Sequence, residues 1–393
     1  MIELSSDQRS VYDAMLEWVR LRYSNLLTVG GYAGTGKTTL AAQLAKQLQT
    51  QRKIAFCALS GRAASVMGAK LREAGFAFGD RHSCSTIHRL IYKPEMDEDT
   101  GEVISWSRKE KLGCDLIVMD EASMVSSYIY NDVSQYGVPI LAIGDHGQLP
   151  PIEGNFSLME APHLRLEKIH RQAEGNPIIQ LSAAVRGGES VEPWHADGNH
   201  ITWHDKRDWR GCLALTYQDP SKALDRAVLC YTNRVRTQFN EATRKIMGYG
   251  PDPQEGDIVI CVKNRNEEMI FNGYRGVMRS AKMLKHHVKG SVDFPTESIS
   301  YGGKMFRYQF NRARTFRSYD EMEEAGFNAR SWEAAGALFD YGYALTVHKA
   351  QGSQFSHVVL CKERKPPKVD EESYQRWLYT AVTRAADTLT VLG

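Results

Sequence analysis

Apolar residues along this chain fall in short runs set between longer stretches of mixed polarity, and that alternation predicts an α/β architecture. In the first half the runs are Asn25–Val29, Ile54–Leu59, Leu116–Met119 and Pro139–Ile143. In the second half they are Ala227–Tyr231, Val358–Leu360 and Leu389–Leu392. Such continuous runs suit strands buried on both faces of a parallel sheet. Residues 5–22 read instead as an amphipathic helix, with Val11, Met15, Trp18 and Val19 near helical spacing. Two stretches break the pattern. Ile91–Lys93 and Val103–Trp106 flank the polar segment Asp97–Glu102, which predicts an inserted β-hairpin. Its plain reading is a solvent-exposed hairpin; its functional reading is a wedge that meets a duplex end. From about 256 to 335, the run Gly256–Val262 and the Asn272-Gly273 turn predict a small β-rich insertion.

At 393 residues the chain is too long for one hydrophobic core, so two or more domains are expected. No apolar run is long enough to span a bilayer and no signal-peptide pattern opens the chain, so no membrane partner is expected. Seven cysteines form no Cys-x-x-Cys pair and leave one over. That argues for reduced thiols in a cytosol, and against a zinc site or a disulfide framework. Net charge is only +2, so nucleic-acid binding must come from local patches. One patch stands out: ten Lys/Arg between Arg275 and Arg317 against Asp293 and Glu297 alone.

The candidate chemistry centres on Gly31-Tyr32-Ala33-Gly34-Thr35-Gly36-Lys37-Thr38, between a predicted strand and a helix that begins near Thr39. Glycines there let backbone N–H groups converge on phosphate oxygens, and the helix N-terminus adds its positive end. Lys37 would reach the β- and γ-phosphates and the Thr38 hydroxyl would ligate Mg²⁺. The strand Leu116–Met119 delivers Asp120 and Glu121. Asp120 suits a metal ligand and Glu121 a base for the attacking water; the plain reading of both is a helix cap. Gln148, after the strand Pro139–Ile143, has an amide able to contact both phosphate and water. Gln8 divides evenly between a capping box with Ser5 and an adenine reader. Arg62 and Arg171 are each either a surface charge or a phosphate contact. Trp106, Tyr92 and Phe355 are stacking candidates for bases, although aromatics are more often core.

Taken in order, GYAGTGKTT (31–39), LSGRAA (59–64), STIHRL (85–90), MDEAS (119–123), GDHGQLPP (144–151), IHRQ (169–172), YTNRVRTQFN (231–240), LTVHKAQGSQF (345–355) and LYTAVTRA (378–385) resemble the motif series of superfamily 1B DNA helicases, Dda and RecD-like. The resemblance implies two RecA-like P-loop domains with ATP and Mg²⁺ in the cleft between them. It implies domain 1A over 1–175 with the hairpin 1B near 91–113, domain 2A over 176–255 and 336–393, and an SH3-like β accessory domain 2B over 256–335. By position, Lys37, Asp120, Glu121, Gln148, Arg171 and Arg384 match catalytic residues. Gln8, Gly31, Ala33, Gly34, Thr35, Gly36, Lys37, Thr38, Thr39 and Gly352 match nucleotide contacts, and Thr38 and Asp120 match the metal site. Ser60, Arg62, Thr86, His88, Asn233, His348 and Lys349 match strand contacts. The activity implied is ATP-driven 5′-to-3′ translocation on single-stranded DNA and unwinding at single-strand/duplex junctions. The setting implied is a monomer in a bacterial or phage-infected host cytosol, with replication or repair proteins as candidate partners. Two rivals share these motifs: a DNA-binding ATPase switch that does not translocate, and an RNA helicase of the same superfamily.

Overall fold

The computed structural model describes residues 4–96, 103–150, 156–168, 175–263, 265, 268, 270–312, 315–316, 319–324 and 336–393. At 62, 94, 96, 103–106, 319–320 and 323 it describes the backbone alone. Two parallel sheets, one five-stranded antiparallel sheet and a two-stranded hairpin organise these residues. In spatial order the first sheet holds Ser83–Thr86, Ile54–Ala58, Leu116–Asp120, Ile140–Gly144, Leu26–Gly31 and Leu164–Leu166, all parallel. Its inner strands are buried almost without interruption, which is why they read as unbroken apolar runs. The helices Ser6–Leu21 and Lys37–Leu48 cover one face, burying Val11, Met15, Trp18, Leu40 and Leu44.

The second sheet orders Ala344–Thr346, Arg226–Cys230, Phe355–Cys361, Ala385–Leu392 and Ile201–His204, again all parallel. The helices Pro177–Arg186 and Glu371–Val382 pack together against it. Leu149, from the first half of the chain, is buried in this second core, so the two lobes share a packed seam.

Between two strands of the second lobe the chain builds an antiparallel sheet: Ile299–Phe306, His287–Phe294, Arg275–Met283, Ile258–Cys261 and Phe339–Tyr341. It has a core of its own around Met278, Val288, Val292, Phe294 and Phe339. Two buried ion pairs fasten this unit to the second lobe. Arg236 Nη1 donates to Asp340 Oδ2 at 2.7 Å, and Arg244 Nε to Asp257 Oδ1 at 2.8 Å. Removing one partner of such a pair strands a buried charge, at a cost of about 3–5 kcal/mol. The hairpin pairs Tyr92–Met96 with Val103–Arg108; its turn lies outside the described residues. No helix among the described residues is long and apolar enough to cross a membrane, and all seven cysteines are free thiols.

Candidate nucleotide cleft and strand channel

Parallel strands present their ligand-binding residues at their carboxyl ends. The loop after Leu26–Gly31 turns through Gly34 (φ 79°) and Gly36 (φ 83°), a left-handed backbone that other residues resist. Gly31 is required for space: a Cβ there would lie 2.7 Å from Thr35 Oγ1. Lys37 Nζ donates to the carbonyls of Gly31 (2.6 Å) and Tyr32 (2.9 Å), which poises it over the loop. Thr38 Oγ1 donates to Asp120 Oδ2 at 3.2 Å. One hydroxyl and one carboxylate side by side match what Mg²⁺ takes from protein when phosphates and waters fill its remaining positions.

Glu121 follows Asp120 with φ 53°, a conformation costing a non-glycine residue on the order of 1–3 kcal/mol. The strain turns its carboxyl into the cleft. Burial pushes that carboxyl above the usual range, and Asp120 and Asp145 add to the shift against the cations Arg384 and Lys37. A raised pKa is what a general base working near neutral pH needs. Gln148 is 6% exposed; its Nε2 donates to Asp145 Oδ2 at 3.3 Å, while its Oε1 is buried with no partner among the described residues. That orphaned acceptor lines the cleft, where a water could donate to it.

The cleft encloses about 560 Å³ and has walls from both lobes. Gln8, Ala33, Gly34, Gly36, Lys37, Thr38, Thr39, Asp120, Glu121 and Gln148 come from the first, and Gly352 and Arg384 from the second. Arg384 is 1% exposed, its guanidinium held by the carbonyls of Thr380 (3.2 Å) and Ser353 (3.1 Å). Thr35, 1% exposed, supports the loop from behind by donating its hydroxyl to Tyr32 O at 2.9 Å. Arg171 lies outside the described residues. For Gln8 the geometry realises the capping reading: Ser5 N donates to Gln8 Oε1 (3.3 Å), and Gln8 Nε2 donates to Thr35 O (3.0 Å).

A second cavity of about 270 Å³ lies where both lobes meet the antiparallel sheet. Ser60, His88, His348 and Lys349 line it. Thr86 caps its own helix, its side chain accepting from Arg89 N at 3.2 Å, and does not line the cavity. The Arg62 side chain lies outside the described residues. Asn233 is not brought into this cavity: it is exposed at a helix N-terminus, its Oδ1 accepting from Arg236 Nε at 3.1 Å. The antiparallel sheet roofs the cavity. Phe271 stacks on His88 (3.9 Å, 19°), and a Cβ on Gly61 would come 2.8 Å from Glu297 Cγ. Burial pushes the His88 imidazole down to about 4 and the Lys349 ammonium down to about 8.

Gly352 lines both cavities, and its carbonyl accepts the Ser60 hydroxyl at 2.9 Å. Sequence reasoning missed the residues that join the lobes. The Tyr379 hydroxyl donates to Asp145 Oδ2 (2.6 Å) and accepts from Ala33 N in the phosphate loop (2.9 Å). Thr380 Oγ1 accepts from Leu149 N (3.0 Å), and Gln351 Nε2 donates to Leu149 O (2.7 Å). The available signal was a polar Tyr-Thr pair in the otherwise apolar helix face Trp377–Val382.

Two expectations change. Phe355, offered as a stacking residue, is 2% exposed and packs in the second-lobe core beneath the Arg275 guanidinium. Tyr92 is half-buried, its hydroxyl donating to Asp132, and the Trp106 side chain lies outside the described residues. The basic stretch 275–317 is not one patch. Arg275 is buried on the carbonyls of Gly342, Leu224 and Arg226; Arg279 pairs with Asp293; and Arg307 pairs with Asp252. Arginine forks satisfy buried carbonyls well, so linear spacing overstated the free charge.

A family model described as an AAA domain matches residues 3–206, and one described as a UvrD-like helicase C-terminal domain matches 341–392. The ATP-dependent RecD2 DNA helicase of Deinococcus radiodurans is 26% identical across 99% of this chain and 49% of its own length, so this chain spans about half of that relative. The ATP-dependent DNA helicase dda of Enterobacteria phage T4 is 23% identical across 97% of both chains. A solved structure of Pif1 helicases at forked duplex DNA shares the fold with a TM-score of 0.52 at 16% identity, covering all of this chain and 92% of its own. The paired sheets are thus two RecA-like domains. With its AAA domain covering more than half of its length and a helicase C-terminal domain behind it, the chain belongs to the superfamily 1B helicases, in the Dda and RecD-like group.

Proposed function

We propose that this chain hydrolyses ATP in the interlobe cleft and uses the cycle to move 5′ to 3′ along single-stranded DNA held in the second cavity, opening duplex ahead of it. The observation that carries the reading is Gly352, one residue of a loop that borders both cavities and bonds to Ser60. A displacement of that loop on nucleotide binding is felt at the strand. The phosphate loop 31–36 and Lys37 hold the triphosphate, and Gln8 borders the adenine end. Thr38 and Asp120 hold Mg²⁺, which neutralises phosphate charge when bound. Glu121 takes the proton of the attacking water, Gln148 Oε1 orients that water, and Arg384 and Arg171 stabilise charge on the transferred phosphoryl group. Arginines supplied across a cleft are worth roughly 10³ to 10⁵ in rate, so hydrolysis depends on closure. Ser60, Arg62, Thr86, His88, His348 and Lys349 grip the strand, with Asn233 at its edge.

Residues 1–175 form domain 1A with 91–113 as its pin, 176–255 with 336–393 form domain 2A, and 256–335 supply the SH3-like domain 2B. The working unit is a monomer. The test is strand displacement on substrates with a 5′ or a 3′ tail, made in DNA and in RNA. Unwinding confined to 5′-tailed DNA is expected. ATP hydrolysis with no displacement on any substrate would replace the reading with a non-translocating switch, and preference for RNA would overturn the substrate.

A further inference from the structure

Three lysines stand directly opposite one another across three strands of the antiparallel sheet. Lys282 is in register with Lys289, and Lys289 with Lys304. Direct partners in adjacent antiparallel strands share a face, with Cβ atoms about 5 Å apart. All three side chains are exposed, and with Lys285, also exposed, none has an ion-pair partner among the described residues. The opposite face carries Met278, Val292 and Tyr301 into the core, so the lysines share the outward face with Ser280, Ser291 and Gly302.

Like charges placed directly opposite destabilise a sheet. A lysine on an edge strand blocks edge-to-edge pairing, and that accounts for Lys304 on the outer strand. It reaches Lys282 as well, which lies beyond the part of its strand paired with Ile258–Cys261, but it does not account for Lys289, which is paired on both sides. The row is also remote from the strand cavity. Arg275 and Glu297 mark the cavity end of the sheet, and six residues of strand lie between Arg275 and Lys282, which puts them roughly 20 Å apart. The Arg279–Asp293 ion pair lies between, so the row does not extend the cavity's charge.

We infer that this row is a second nucleic-acid contact, a phosphate-binding stripe for the duplex arm of a forked substrate, outside the single-strand channel. Single strands are held by charge together with aromatic stacking platforms. The exposed side chains of that face are lysine and serine; the ring pair in its register, His287 and Phe306, closes the row with Phe306 buried in the second-lobe core, so among the described residues the face offers phosphate contacts without an exposed stacking platform. Duplex DNA, whose bases are stacked inside, presents phosphates alone to a flat face. The inference rests on the helicase reading above.

The test is the triple variant Lys282→Gln, Lys289→Gln, Lys304→Gln in the full chain, compared with wild type on a forked duplex and on a single-stranded oligonucleotide, each across a salt series. Removing opposed like charges should leave the thermal midpoint unchanged or raised, so the variant stays folded. For the fork, the slope of log affinity against log salt should become shallower by about 0.9 per lost contact, about 2.7 in all. A rise in salt of about fourfold then costs wild type about 40 times more fork affinity than it costs the variant. Single-strand affinity and single-strand-stimulated ATP hydrolysis should match wild type. An unchanged fork slope would overturn the stripe. A slope that falls on the single strand as well would place the lysines on the tracked strand and overturn the duplex assignment. Equal fork binding with weakened binding to polyglutamate would assign the face to an acidic protein instead. If wild type itself shows no DNA-stimulated hydrolysis, the helicase reading fails, and that result is distinct from all of these.

Discussion

Replacing Tyr379 by Phe removes one oxygen from the seam between the lobes. That hydroxyl donates to Asp145 Oδ2 at 2.6 Å and receives the Ala33 N–H of the phosphate loop at 2.9 Å. Asp145 is 3% exposed, so water cannot readily replace the lost donor. A hydrogen bond to a buried charged group is worth about 1.5–3 kcal/mol. Ala33 borders the open cleft and can be resolvated, so its N–H adds little. If the bond forms only when the lobes are closed, the closing equilibrium shifts by roughly 10- to 150-fold, since each 1.4 kcal/mol is tenfold. The assay is steady-state ATP hydrolysis with saturating single-stranded DNA, beside hydrolysis without DNA and nucleotide affinity. The DNA-stimulated rate should fall by that factor, with nucleotide affinity close to wild type. Thr380→Val, which removes a neutral acceptor from Leu149 N, should show the same pattern at smaller amplitude, about fivefold for a bond of about 1 kcal/mol. A folded Tyr379→Phe variant with wild-type DNA stimulation would refute the reasoning.

Three further outcomes are expected. Lys37→Ala should abolish ATP hydrolysis and unwinding while single-strand binding stays measurable; DNA-stimulated hydrolysis surviving in it would remove the phosphate-loop assignment. Glu121→Gln should bind ATP as well as wild type but turn over about 10² to 10⁴ times more slowly in single-turnover measurements, and unchanged turnover would show that another group takes the proton. Lys349, held near 8 against an ordinary 10.5, should make strand affinity fall as pH rises through about 8, with proton uptake on binding above that pH. Between 8 and 10.5 the unfolded chain holds the extra proton, so this lysine by itself makes stability rise with pH across that window. Lys349→Met should flatten both profiles, and a persisting affinity drop would assign it elsewhere.

Much of the fold was legible because its parallel strands are buried on both faces and are written as unbroken apolar runs, as in Ile54–Ala58 and Ile140–Gly144. The phosphate loop was legible because its chemistry is local: glycines, Lys37 and Thr38 lie within one turn of chain. The seam was not. Tyr379 and Asp145 are 234 residues apart, and nothing in either stretch alone says that they touch. The charged stretch 275–317 misled for a related reason. A residue count cannot tell Arg275, spent on buried carbonyls, from Lys289, which faces water; only strand register does that. Phe355 likewise sits in a motif that borders the strand cavity, yet the β-strand it opens turns its ring into the core.

The central claim is that one ATP is completed by both lobes. Single-turnover hydrolysis by Arg384→Ala, with saturating DNA, tests it most directly. Nucleotide binding should stay near wild type while the chemical step slows by about 10³ or more. Hydrolysis at the wild-type rate would mean that the second lobe contributes nothing to the phosphoryl transfer, and the coupling described here would have no source.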